Sequence, residues 1–299
     1  MTRPSFFRRD LPDGRLHLQE GPIDLMIEAF GARAEVRHAY DAAAECFREV
    51  LPDLVAELTA LRRPLRRDTP SFSGPVAQRM AAACHPHRAV FVTPMAAVAG
   101  AVADHVLAAM SEAADLTRAY VNNGGDIALY LTPGESLACG LVAQVAAPHQ
   151  PLSLGGRAVV TSELPVRGIA TSGRATKGQG GRSFSLGIAD AVTVFARSAA
   201  QADVAATLIA NAVDLPGHPL VMRRRAVEID PESDLGERLA TVAVGKLTEA
   251  EVATALRHGQ ALSAEMQAEG LIEAAALFLR GRAEAIGALP LLSSLPSAA

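Results

Sequence analysis

Asp203 and Thr207 stand four residues apart in the run AQADVAATLIANAV. That spacing places both on one helix face, and Asn211 continues the stripe. A carboxylate and a hydroxyl are hard oxygen donors of the kind Mg²⁺ or Ca²⁺ takes. Two side chains cannot complete an octahedron, so carbonyls, water or substrate phosphates would fill the rest. On spacing alone the plainer reading is an acid favouring a helix N-terminus, with Thr207 as packing. Just upstream, Gly168, Gly173, Gly178, Gly180, Gly181 and Gly187 are interleaved with Thr171, Ser172, Thr176, Lys177, Arg182, Ser183 and Ser185. Backbone amides, hydroxyls and cations converging on one point would suit a phosphate. Gly168 to Gly173 has the GxxxxG spacing, yet Arg174-Ala175 follows where a P-loop needs Lys and Ser/Thr. A flexible surface loop is the alternative. A third constellation is Asn122-Asn123-Gly124-Gly125-Asp126. It could set amides against a ligand or simply close a hairpin. Cys84-His85-Pro86-His87 has no second pair at zinc spacing, and His105 beside Asp104 reads as a satisfied core histidine.

The elements that must carry these residues follow from periodicity. Arg15 to Glu20 alternates as a half-buried strand, Gly21-Pro22 turns, and Ile23 to Phe30 returns. Asp41 to Leu61 is helical, with a kink or break expected at Pro52. Val76 to Cys84 reads as a short helix and Ala89 to Val92 as a strand. Pro94 to Met110 reads as a buried helix of small residues, in which Gly100 needs a packing or contact reason. Strands are expected at Arg118–Asn122, Ile127–Thr132, Ala138–Ala146, Arg157–Thr161, Val166–Ala170, Ala191–Ala196 and Leu220–Ile229. Thr248 caps the first of two or three helices running to about Ile286. Strands and helices mix without regular βαβ alternation, so the fold class is α+β. The expected division is a main domain over 1–233 and a C-terminal helical extension over 234–299.

Composition excludes several functions. The 299 residues carry a net charge of −4, no Trp and three Tyr, which argues against a nucleic-acid surface. The clusters Arg62, Arg63, Arg66, Arg67 and Arg223, Arg224, Arg225 are short; a solvated face or a phosphate contact explains each, the solvated face being the plainer reading. Cys46, Cys84 and Cys139 form no framework, which fits free thiols in a reducing cytosol. The run Ala89 to Ala103 is broken by Thr93 and Pro94 and is shorter than the roughly 20 residues of a membrane span. MTRPSFFRRD lacks an apolar export core. A cytoplasmic protein with no membrane partner is expected, monomeric or homodimeric.

Four segments in order carry a family resemblance: TPMAAVAGAVADHV (from Thr93), YVNNGGDIAL (from Tyr120), GIATSG (from Gly168) and SFSLGIADAVTVFARSAAQADVAATLIANAV (from Ser183). The chain resembles the ApbE superfamily of FAD:protein FMN transferases, and in particular a smaller ApbE-related branch, from about Gly21 to Asp230. The resemblance implies a mixed, largely antiparallel α+β fold. It implies an enzyme class that splits FAD, releases AMP and esterifies FMN to a Thr or Ser, using Mg²⁺. By position it implies metal contacts at Asp203, Thr207 and the Ala96 carbonyl. It also implies cofactor contacts at Gly100, Asn123, Gly124, Gly125, Asp126, Thr171, Ser172 and Gly173. The departures are equally specific. Ala99 stands where the transferases carry Lys, and Ala170 where the branch is expected to carry Cys. The His-Ile…Asp-Pro…Thr-Gly segment is missing, because Ser183 to Gly187 runs straight into Ile188-Ala189-Asp190. No catalytic residue is therefore assigned, and Lys177, Arg174 or Arg182 would have to supply positive charge. The resulting expectation is a phosphorylated or nucleotide-like small ligand, FAD or FMN among them, bound with Mg²⁺ without authentic FMN transfer. The alternatives are a non-catalytic binding protein or an enzyme repurposed for sulfur or cofactor metabolism.

Overall fold

The structure is a computed structural model that describes residues 6–67, 71–144, 153–173 and 184–288. The Gly-rich segment holding Arg174, Lys177, Gly178, Gly180, Gly181, Arg182 and Ser183 lies outside the described residues, as does the tail from Leu289. In chain order the first elements are β1 (Phe7–Asp10), β2 (Leu16–Glu20), β3 (Ile23–Gly31), α1 (Arg33–Leu61), α2 (Pro75–Cys84) and α3 (Val98–Ala113). Next come β4 (Leu116–Asn123), β5 (Asp126–Leu131), β6 (Ser136–Gln144), β7 (Ser153–Thr161), β8 (Gly168–Ser172), β9 (Ala191–Ala196) and α4 (Ala199–Ala212). The last are β10 (Val221–Arg225), α5 (Ala226–Ile229), β11 (Leu239–Val244), α6 (Glu249–Ala268), β12 (Ala274–Leu279) and β13 (Arg282–Ile286). The α+β class holds, with antiparallel pairing wherever the register is given. The chain gathers into two compact units, Met1–Leu137 with Thr161–Ala170 and Ala196–Val204, and Ala138–Val160 with Thr171–Phe195 and Ala205–Ala299.

The first unit is a meander covered by helices. β1 to β5 pair antiparallel with their neighbours in sequence, and Ile127 and Ala128 pair onward with Ile169 and Gly168. The period-2 pattern of β2 buries Leu16, Leu18 and Glu20 and turns His17 and Gln19 outward. α1 buries Ala39, Tyr40, Ala43, Ala44, Phe47, Val50 and Leu54, one stripe at helical spacing. It begins at Arg33, eight residues before the expected start, and runs through Pro52 as one helix. Its apolar stripe packs against α3 and the sheet, which offsets the hydrogen bond Pro52 cannot make. Ala89–Val92 is not a strand. It follows a 3₁₀ turn at His85–His87, and Val90 is exposed. The helical run Pro94–Ala113 is long and apolar enough to cross a membrane by length and composition. It packs against α1, α2, β4 and β5, as a core helix does.

The second unit corrects the C-terminal expectation. Among the described residues only one helix, α6, lies beyond residue 248. β11 precedes it, and the segment expected to be helical to Ile286 ends in the hairpin β12–β13. β12 pairs antiparallel with β9, Ala274 opposite Phe195. Every residue of β9 and of β12 is buried. Strands covered on both faces lose the alternation that identifies them, and AAALFL then reads as helix on propensity. The expected strand Leu220–Ile229 is likewise shorter, because α5 takes over at Ala226.

α6 opens with a complete capping box, with Thr248 Oγ1 accepting from Glu251 N and the Glu251 carboxylate accepting from Thr248 N. These bonds, with His218 Nε2 at 2.8 Å, hold the Glu251 pKa down at about 2. A lowered folded-state pKa contributes stability that is present above the ordinary value of 4.5 and lost as pH falls toward 2. Amide exchange at the first turn of α6 is expected to quicken across that window. In Glu251→Gln the pH dependence is expected to flatten, and an unchanged profile would refute the assignment.

Candidate functional site

Two helices present their N-termini to each other's acids. α3 starts without a side-chain cap of its own. Gly100, its third residue, carries one of the orphan amides of a helix start, and that amide donates to Asp203 Oδ2 at 3.0 Å. Asp203 lies in the first turns of α4. The start of α4 is in turn capped from α3, because Ala199 N and Ala200 N donate to the two oxygens of Asp104 at 3.0 and 2.9 Å. Each contact sets an anion at the positive end of a helix. All of these residues belong to the first unit. Asp104→Ala removes two charge-assisted bonds and should cost about 1.5–3 kcal/mol in urea unfolding. Asp104→Asn should recover part of that loss.

Close approach of the helices depends on Gly100. A Cβ there would lie 2.2 Å from Ala199 O and 2.7 Å from Ala200 N. Gly168 plays the same part beneath Ser198, where a Cβ would fall 2.0 Å from its carbonyl carbon. The packing reason that Gly100 required is therefore a helix start pressed against backbone.

The Asn-Gly turn closes the same end of the first unit. Asn122 Oδ1 accepts from Gly125 N at 2.8 Å, an Asx turn, and Gly124 and Gly125 take φ of +64° and +112°. Nothing lies within 4 Å of where a Cβ would stand on either, so conformation rather than space requires glycine. Asn123 is buried and donates through Nδ2 to the Ala99 carbonyl at 3.1 Å, which ties β4 to α3. Asp126, opposite Asn123 on β5, is near enough that its charge acts on Asp203. Part of Asp203 reaches solvent. Burial of its carboxyl, then the Asp126 charge, nonetheless push its pKa well above the usual carboxylate range, against the lowering effect of the Gly100 and Ala99 amides. Burial also raises the Asp104 pKa.

Two mutually repelling carboxylates suit a hard divalent cation, which would relieve the repulsion. Among the described residues no group of three or more His, Cys, Asp and Glu comes together. Two carboxylates do not complete a cation's shell, and its remaining ligands would have to come from carbonyls, water or a phosphate. Ala96 sits in the 3₁₀ turn Pro94–Ala97 directly before α3. The Cys84-His85-Pro86-His87 run makes no metal cluster. Cys84 is buried with its thiol on the Thr93 carbonyl at 3.5 Å, and burial pushes its pKa up.

The other expected residues belong to the second unit. Thr171 Oγ1 shares a 2.9 Å hydrogen bond with Thr193 Oγ1. Gly173 has a packing explanation, since a Cβ would stand 2.7 Å from Asp190 O. Thr207 is on α4 one turn beyond Asp203. Asn211, which continues that stripe, is spent on the backbone and accepts from Leu186 N at 2.9 Å. Sequence reasoning missed the role of Asp104. Its spacing of four from Gly100, on one face of α3, was the available signal.

Comparison with known proteins adds the lineage. A protein named UPF0280 from Methanothrix thermoacetophila is 40% identical over 140 residues, which cover 46% of this chain and 52% of that one. One from Methanosphaerula palustris is 35% identical over 166 residues, covering 56% and 64%. The chain thus spans about half to two thirds of the length of these curated relatives. Among solved structures, the ApbE protein of Thermotoga maritima aligns at 12% identity and a TM-score of 0.44 over 94% of this chain and 96% of that one. A mutant of the flavin transferase ApbE from Vibrio cholerae aligns at 12% identity and 0.45, over 95% and 97%. The sequence pattern of the family described as AbpE bacteria matches residues 8–285, and the chain belongs to that ApbE-like family.

Proposed function

We propose that this protein binds a phosphorylated small molecule together with a divalent cation, a flavin nucleotide being the class its family suggests. The observation that carries the reading is Asp203, whose carboxyl accepts from the Gly100 amide at the start of α3 and lies near enough to Asp126 for the two charges to repel. A like-charge pair held close together costs stability that a cation would restore. Asp203, Asp126 and the Ala96 carbonyl would hold Mg²⁺, with Thr207 as a further candidate. Gly100, Asn123, Gly124 and Gly125 are the proposed ligand contacts of the first unit. The cation would neutralise phosphate charge, while the protein's own groups position the ligand.

Authentic FMN transfer is not part of this proposal. The sequence lacks the His-bearing segment and has Ala99 at the position of the transferase Lys. Purified protein incubated with FAD, Mg²⁺ and a target peptide is expected to yield neither AMP nor flavinylated peptide on chromatography. Titration with FMN and Mg²⁺ is expected to show binding that EDTA abolishes. Release of AMP with labelled peptide would overturn the first statement. Absence of any Mg²⁺-dependent FMN binding would overturn the second.

A further inference from the structure

Glu20 is buried, with 2% of its surface accessible, and its Oε2 has no hydrogen-bond partner. Among the described residues the only other such side-chain atom is Arg118 Nε. The Arg118 guanidinium is otherwise occupied by Glu135, the Ser136 carbonyl and the Phe30 ring. Glu20 has no comparable compensation. Burying an unsatisfied carboxylate is among the costlier things a fold can do. An orphan of this kind asks for a water, an ion or a ligand that the protein alone does not supply.

Sheet register locates it relative to the candidate site. Leu18 pairs with Leu25, Leu25 with Asn123, and Asn123 with Asp126. Directly paired residues share a face, so these four line one side of the sheet. Glu20 is two residues beyond Leu18 on the same strand and therefore on the same side. β2 and β4 run in the same direction, each being antiparallel to β3, so Glu20 and Asn123 both close the same end of the sheet. From Asp126 to Glu20 the path crosses three strand spacings and two residues along β2, roughly 15 Å. An extended mononucleotide with its heterocycle is of that order. With the phosphate end held through a cation at Asp126 and Asp203, the opposite, uncharged end of the ligand would lie toward Glu20. A carboxylate there accepts hydrogen bonds and repels phosphate, so it suits an N–H donor of the ring.

We propose that Glu20 is a second anchor of this site, its carboxylate accepting a hydrogen bond from the imide N–H of a heterocycle whose phosphate end is held at Asp203 and Asp126. This rests on the phosphorylated-ligand reading above. It adds a residue that no motif in the sequence marks and a direction for the ligand along the sheet end.

The test is a two-by-two comparison in the presence of Mg²⁺. Wild-type protein and Glu20→Leu are each titrated with FMN and with N3-methyl-FMN, in which the imide proton is replaced. Wild type is expected to bind the methylated compound at least about tenfold more weakly. Glu20→Leu is expected to bind FMN correspondingly weakly, to lose the discrimination, and to melt at a higher temperature than wild type because the orphan carboxylate is gone. Glu20→Gln keeps an amide oxygen that can accept from the imide N–H and should retain part of the discrimination, between wild type and Glu20→Leu. Equal affinity of wild type for both compounds, or wild-type FMN affinity in Glu20→Leu, overturns the assignment while leaving the ligand reading intact. Failure of wild type to bind FMN with Mg²⁺ removes the ligand reading itself, and this anchor with it.

Discussion

Gly100→Ala is expected to lose about 3 kcal/mol or more of stability, seen as a drop in Tm of roughly 6–12 °C or as failure to accumulate folded protein. Alanine in a helix gains about 1 kcal/mol over glycine, so propensity alone predicts the opposite sign. Packing decides it. The added methyl would stand 2.2 Å from Ala199 O and 2.4 Å from Ala199 C. These are backbone atoms at the start of α4, and no rotamer change relieves them. Separating the helices to make room would break the Asp104 bonds to Ala199 and Ala200 and the Gly100 bond to Asp203 together. Thermal or urea unfolding reads the result. A Gly100→Ala protein as stable as wild type would mean the two helices do not meet this closely.

Asp203→Asn is expected to weaken Mg²⁺ binding by about a hundredfold or more. Loss of an outer-shell partner already costs about 10–100-fold at metal sites, and a direct ligand should cost at least as much. Asparagine keeps an oxygen to accept from Gly100 N, so the clasp between α3 and α4 survives and charge is isolated as the variable. Removing the charge also removes the repulsion with Asp126. The metal-free variant should therefore melt no lower than wild type, while the rise in Tm that Mg²⁺ gives wild type should disappear. Asp126→Asn should behave in the same direction. Calorimetry showing unchanged Mg²⁺ affinity in Asp203→Asn would place the cation elsewhere.

Much of the first unit was legible because its elements obey simple periodicities. β2, β3, β4 and β5 alternate or end in an Asn-Gly turn, and α2 and α3 carry Pro at or before their starts. The early start of α1 was missed because Arg33 to Arg37 carries three charged residues and none of the five is buried, so hydrophobic spacing does not register it. β12 was missed for the opposite reason, since a strand buried on both faces has no polar side to show.

At the site, the sequence by itself determined which residues are chemically able to act. Asp203, Thr207, Asn123, Gly100 and Asp126 were all candidates by type and spacing, and four ordered motifs tied them to one family. Only the tertiary structure decided how they are used. It sets Asp203 against Gly100, about a hundred residues away in the chain, and Asp104 against Ala199 and Ala200. It also buries Glu20 without a partner. The physical reason is that a hydrogen bond or a charge repulsion depends on distance in space. Local sequence sets the helix that carries a carboxylate, but not the helix end or the neighbouring charge that carboxylate will meet.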